Sequence, residues 1–241
     1  MPKIVEAYAD ENGKARGGKL GDQTGKEIRI RDWYERDGGW AVYIECTDPL
    51  LAEAAAFNAE LIAKCEQYGY NQDDRWSGYK SIISYYSIDS AAEGDFDCSS
   101  LCIAAYILAG LDMKPEGYTG NLERLFLETG KFKSYDDAAH LKSPTLAKRG
   151  GMYLMPKAHV LMMIEDGTGA TETPQEITQN PDGDFVYAKG SVRVRKSPVD
   201  GETITVLHKG ESLPRKSTWH EVEIDGKSGW ISANPKYTET K

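Results

Sequence analysis

The sequence predicts an α+β domain followed by a small all-β barrel, on three observations. After one early strand-like stretch, the first part of the chain runs helical patterns first and strands after, the order of an α+β domain. Around "TQNPDGD", residues 178 to 184, the composition turns polar and periodicity is lost, which sets a boundary near residue 180. Residues 181 to 241 then read as short alternating strands separated by Gly and Asp turns, the pattern of a barrel. A chain of 241 residues, 40% of them hydrophobic, is long enough for both units.

Each element has its own signal. "EIRIRDWYERDGGWAVYIEC" alternates and carries aromatics around a Gly-Gly turn, predicting a hairpin from about Glu27 to Cys46. In "TDPLLAEAAAFNAELIAKCEQYGY", Asp48 can cap and Pro49 suits the first helical position. Apolar residues recur there at helical spacing until Gly69, so Cys65 falls inside the helix. A shorter helix follows in "RWSGYKSIISYYS", and the next begins at "DCSSLCIAAYILAG" and stops at Gly110. "NLERLFLETGKF" is another short helix, and "GGMYLMPKAHVLMMIEDGTGATE" is rich in strand formers with a D-G turn.

Composition narrows the function classes. With 29 Lys+Arg against 38 Asp+Glu the net charge is -9, which argues against a protein that neutralises phosphates, so nucleic acid is not expected as a partner. From Asp184 onward ten basic and eight acidic residues give +2, leaving 19 basic against 30 acidic, or -11, in residues 1 to 183; the asymmetry favours two functional units. The start "MPKIVEAYADENGKARGGK" has no apolar run after a basic segment, and no stretch approaches the roughly 18 to 20 apolar residues of a membrane span. The expectation is a chain made in the cytoplasm without a leader and not inserted in a membrane. Cys46, Cys65, Cys98 and Cys102 show neither paired metal-type spacing nor disulfide density, and free thiols are expected.

Cys98 opens the apolar helix, where unpaired N–H groups and the helix dipole are expected to lower a thiol's pKa. Two readings stay open on these residues alone: a nucleophile at a helix N-terminus, or a small buried hydrophobe. Cys102, one turn deeper beside Leu101, Ile103 and Ala104, reads as packing. A catalytic thiol needs a base. His208 and His220 fall in the terminal barrel and His140 in the polar turn "YDDAAHLKS", all three expected at the surface. His159 instead heads the apolar strand "HVLMMIEDG", as an active-site group or as a strand-end core residue. If "EDGT" is a two-residue hairpin turn, Leu161 faces Glu172, which then shares His159's side of the sheet and can orient its far ring nitrogen. A loop one residue longer or shorter reverses that face, and Gln175 is the reserve candidate.

"GDFDCSS" opening a helix, "AHVLMMIEDG" on a strand about sixty residues later, and a polar residue after it resemble the NlpC/p60 cysteine peptidases, peptidoglycan endopeptidases with a papain-like core. The resemblance covers roughly residues 1 to 178, and "GGKLGDQTGKEIRIRDWYER", "YGYNQDDRWSGYKS" and "LKSPTLAKRGGMYL" look like segments of prophage-encoded members from Gram-positive bacteria. It implies that Cys98 attacks a carbonyl in the wall stem peptide, that His159 acts as base and then as acid, and that Glu172 orients His159. Backbone N–H groups near Cys98 and Ser99 would hold the oxyanion. Asp97 matches the family motif and is equally a helix N-cap. Tyr79, and Asp22 and Gln23 of the "GDQTG" loop, are candidates to line the cleft. No metal or cofactor is implied. The bond implied is γ-D-glutamyl to diamino acid.

Two features depart from the family pattern. The strand before His159 lacks the acidic residue and the Gly that relatives often carry, and Glu172 as third residue is similar to the CHAP amidases. The tail "GSVRVRKSP…WHEVEIDGKSGWISANP", about Phe185 to Tyr237, is similar to bacterial SH3 (SH3b) domains, in which Trp219, Trp230 and Tyr187 would form a wall-binding surface. The whole resembles a phage or prophage endolysin that reaches the wall through a holin or by lysis. Its rivals are an N-acetylmuramoyl-L-alanine amidase, a non-catalytic wall-binding or phage structural protein, and an intracellular thiol acyltransferase.

Overall fold

The computed structural model describes residues 1–85 and 87–169 in full and, beyond them, the backbone of six strands between residues 185 and 232. The chain divides into two units, Met1–Thr171 and Glu172–Lys241. The first is α+β. Its centre is an antiparallel sheet of β1 (Lys3–Ala7), β2 (Ile28–Asp32), β3 (Val42–Cys46), β6 (Phe132–Tyr135), β7 (Met152–Met155) and β8 (His159–Met163), in the order β2-β1-β8-β7-β3-β6. A separate parallel pair joins β4 (Tyr68–Tyr70) to β5 (Gly94–Phe96).

Side-chain alternation gives this sheet two buried faces. Val5, Ala7, Ile44, Val160 and Met162 join the larger core with α1 (Pro49–Ala63) and α3 (Cys98–Leu108). Ile4, Tyr43, Tyr153, Leu161 and Met163 close a second core with Trp33 and Trp40. Every residue of α3 from Cys98 to Tyr106 is buried, as expected of a helix that is apolar all round. The helix α2 (Ser77–Tyr85) packs on β5 so closely that a Cβ on Gly94 would lie 2.5 Å from Gly78 Cα. The short helices α4 (Leu122–Glu128) and α5 (Ala138–Leu141) flank β6.

Three expectations are corrected. The segment Glu27–Cys46 is not a hairpin, because β2 pairs with β1 while β3 lies between β7 and β6. Trp33 and Trp40, in the segment between them, are buried with ring centroids 5.5 and 5.9 Å from Tyr153, which draws the chain across the sheet face instead of back on itself. Asp48 caps α1 through Leu51 N–H at 3.2 Å with Pro49 at its start, but the helix ends at Ala63, so Cys65 lies beyond it. Tyr68 and Tyr70 are both buried in β4, and that extended segment sets the stop.

The "EDGT" stretch is not a hairpin turn either. Both edges of β8 are taken, by β1 and β7, and the chain after it docks on another loop, Gly167 N–H donating to Ala147 O at 2.7 Å and Gly169 N–H to Thr145 O at 2.9 Å. Glu172 and Gln175 themselves lie outside the described residues.

In the second unit β9 (Phe185–Tyr187) pairs with β12 (Ser212–Pro214), β10 (Val192–Arg195) with β11 (Thr203–Leu207), and β13 (Trp219–Ile224) with β14 (Lys227–Ser232), all antiparallel. The side chains of Tyr187, Trp219, Trp230 and His220, and all of His208, lie outside the described residues.

Candidate active site

Asp97 and Cys98 stand where β5 hands over to α3. The Asp97 carboxylate accepts Ser100 N–H at 2.7 Å, and the Ser100 hydroxyl accepts Asp97 N–H at 2.8 Å, a reciprocal cap that fixes the first turn. Ser99 Oγ donates to the same carboxylate at 2.9 Å. Arg75 adds an ion pair to Asp97 at 3.0 Å and donates to Ser99 Oγ at 3.1 Å and to Gly117 O. Its Nε is buried with no partner among the described residues.

The Cys98 thiol is 5% exposed, and burial, then the Asp97 charge, push it up to about 12. The expectation of a thiol lowered by its helix N-terminus is therefore overturned, because loss of water outweighs the dipole. Hydrogen bonds from Val160 and Ser99 N–H and the charge of Arg75 act in the opposite direction. The Val160 contact places the sulfur against the β8 backbone on the face of Val160 and Met162, whereas the His159 side chain shares the opposite face with Leu161 and Met163.

His159 Nε2 lies 2.8 Å from Glu6 Oε2, which leaves Nδ1 as the other ring nitrogen. Tyr34 OH donates to the same Oε2 at 2.8 Å, while Arg29 engages Oε1 through Nε at 2.8 Å and Nη2 at 2.7 Å, with Arg31 at 3.6 Å. Burial alone would raise Glu6; the hydrogen bond and charge of His159, then Arg29 and Tyr34, outweigh it and hold the carboxyl at about 2. Trp40 and Tyr8 flank the imidazole at 6.2 and 6.4 Å. The strand register explains the pair. β1 meets β8 with Ile4 opposite Met163 and Val5 opposite Met162, and one more step sets Glu6 opposite Leu161, on His159's face. That is the place the hairpin assigned to Glu172.

A cleft of about 320 Å³ is lined by Cys98, Asp97 and Ser99, with Arg16, Arg75 and Lys157 beside them. Tyr79, Asp22 and Gln23 do not line it. Tyr79 packs edge-on against Trp76 at 6.2 Å. Asp22 accepts Thr24 and Gly25 N–H at 2.8 and 2.7 Å, and Gln23 donates to Leu20 O at 3.0 Å, so both hold their own loop. His140, expected at the surface, is stacked on Tyr135 at 4.1 Å with Nδ1 on Asp137. Cys102 is buried in the main core, and all four cysteines are free. Among the described residues no three of His, Cys, Asp or Glu gather as a metal site.

Glu6 and Arg75 were not singled out by the sequence reading. For Glu6 a signal exists: one acid in the apolar strand "KIVEA", facing the alternating cations of "IRIRD" across a register that pairs Glu6 with Arg29. Arg75, in a polar loop, carries none.

The α+β domain begins α3 with a buried thiol, capped by Asp97, and carries a carboxylate-bound histidine on β8. A family model described as the endolysin-like domain matches residues 4–170, and the chain belongs to that family. It is thus an endolysin-like protein, of a class named for phage cell-wall lysis, for which peptidoglycan is the corresponding substrate. Among the described residues no helix is long and apolar enough to cross a membrane. No curated protein and no solved structure matches the chain.

Proposed function

We propose that this protein is a cysteine endopeptidase of NlpC/p60 type that cuts the peptidoglycan stem, at the γ-D-glutamyl to diamino-acid bond. The reading rests above all on the buried Glu6–His159 pair, one residue from the Val160 N–H that bonds the Cys98 sulfur. A thiol held near 12 is protonated at neutral pH, so attack requires a base that takes the proton as the carbon–sulfur bond forms. For His159 to take it at Nδ1, the imidazole must reach round the start of β8, because its side chain leaves the strand on the face opposite Cys98. Glu6, an anion at any working pH, fixes the Nε2–H tautomer and stabilises the imidazolium, the part expected of Glu172. The Cys98 N–H and, once the sulfur is acylated, the Ser99 N–H would serve the developing oxyanion, and His159 returns the proton to the leaving amine. Water then hydrolyses the thioester by the same route.

The second unit acts as an SH3b wall-binding module; its three antiparallel strand pairs, with β13 and β14 as the closing hairpin, support that role. Synthesis in the cytoplasm with release through a holin or by lysis follows from the same reading.

Purified peptidoglycan digested by the full chain and by Cys98→Ala, with mass spectrometry of the products, tests the proposal. Loss of lysis in the variant and a new diamino-acid amine terminus are expected. Lysis that survives the substitution overturns the thiol mechanism, and whole stems freed from muramic acid would make the enzyme an amidase instead.

A further inference from the structure

In a chain of net charge -9, three of the side chains around the Cys98 cleft are cations: Arg16, Arg75 and Lys157. Two already have counter-ions, Arg16 in Asp73 at 3.0 Å and Arg75 in Asp97 at 3.0 Å. Lys157 makes no ion pair or side-chain hydrogen bond among the described residues. It is also the one non-glycine residue among them with positive φ, 62°, in the turn that joins β7 to β8. Glycine would adopt that backbone without strain, and the tight turn, closed by Ala158 N–H donating to Met155 O at 3.0 Å, holds the lysine in it after Pro156. This cation without a counter-ion among the described residues lies two positions before His159 and lines the same cleft as Cys98.

We infer that Lys157 binds a free carboxylate of the stem peptide next to the bond under attack, so that the enzyme selects stems whose glutamyl carboxylate is not amidated. The inference rests on the proposed function for the identity of the peptide. An ammonium on a mobile four-carbon stem suits a single carboxylate held at the cleft mouth, and an amide in its place offers dipole without charge. Arg75 cannot take this part while Asp97 and Ser99 hold its guanidinium.

The test is direct binding, with Cys98→Ala in the full chain so that nothing is cut. Calorimetry would compare two synthetic stem tetrapeptides that differ only in carrying D-isoglutamate or D-isoglutamine. The acid should bind about tenfold more tightly, Lys157→Gln should erase the difference, and Lys157→Arg should keep most of it. Lys157→Gly should also erase it while raising the melting temperature, which separates lost charge from a damaged turn. Equal binding of acid and amide overturns the inference, as does a preference that survives Lys157→Gln or a failure of either peptide to bind. Failure of the proposed function looks different: wall lysis independent of Cys98, with the acid preference still present.

Discussion

Glu6 and Asp95 are carboxylates buried alike, each 1% exposed, and the protein holds them in opposite states. Glu6 is lowered to about 2 and Asp95 raised to about 6. For both, burial is the largest influence and acts upward. Around Glu6 it is outweighed by His159, Arg29 and Tyr34. Around Asp95 the principal relief is one backbone bond, from Gly21 N–H at 2.9 Å, and the charges of Asp74 and Glu27 add to the penalty. Burial alone therefore does not fix a carboxylate's charge. The partner decides its charge, and on the proposed mechanism the permanent anion stands beside the imidazole that would carry charge.

The widest separation between the two should come from activity. Glu6→Gln removes the anion but keeps the shape, and wall lysis should fall by about 100-fold or more. Asp95→Asn should leave it unchanged. Turbidity loss of purified walls, with circular dichroism to confirm folding, measures both; equal effects would dissolve the distinction.

Acid unfolding separates them next. A depressed carboxyl stabilises the fold above its unfolded value near 4.5, and that contribution is lost as pH falls toward about 2. The drop is of the order of 3 kcal/mol, and Glu6→Gln should flatten the stability profile between those limits. Asp95 runs the other way. Its raised value favours the protonated fold, so its contribution is full below about 3.8 and lost as pH rises through about 6. Asp95→Asn should therefore stabilise at pH 7, by about 2 kcal/mol, and hardly at all at pH 3. Urea midpoints across pH 2 to 8 would show both slopes, and a gain at pH 3 equal to that at pH 7 would remove desolvated charge as the cause.

What the sequence made legible follows the range of the interaction. Asp97 capping the Cys98 helix, and His159 heading an apolar strand, depend on residues within a turn or two, and the quoted segments carry them. The partner of His159 is 153 residues away, and no local pattern selects it. Which residue stands opposite Leu161 depends on sheet order. Assuming the next strand in sequence put Glu172 there, whereas the chain's first strand fills the edge. The thiol was misjudged for a related reason: the dipole is local, while its burial comes from packing against β8 and Val160.

The smallest expected effect probes why Glu6 stays an anion. Tyr34 OH gives Oε2 one neutral hydrogen bond, whereas Arg29 gives Oε1 two charged ones and His159 holds Oε2 from the other side. Charge-assisted bonds are about twice as strong as neutral ones, so Tyr34→Phe should leave Glu6 ionised and His159 in place. Stability should fall by about 1 kcal/mol, read from the urea midpoint, and lysis by less than about threefold. A loss of lysis as large as that in Glu6→Gln would mean that the hydroxyl, and not the flanking cations, holds the carboxylate against the imidazole. The contrast with Asp95 would then rest on hydrogen bonding instead of on charge.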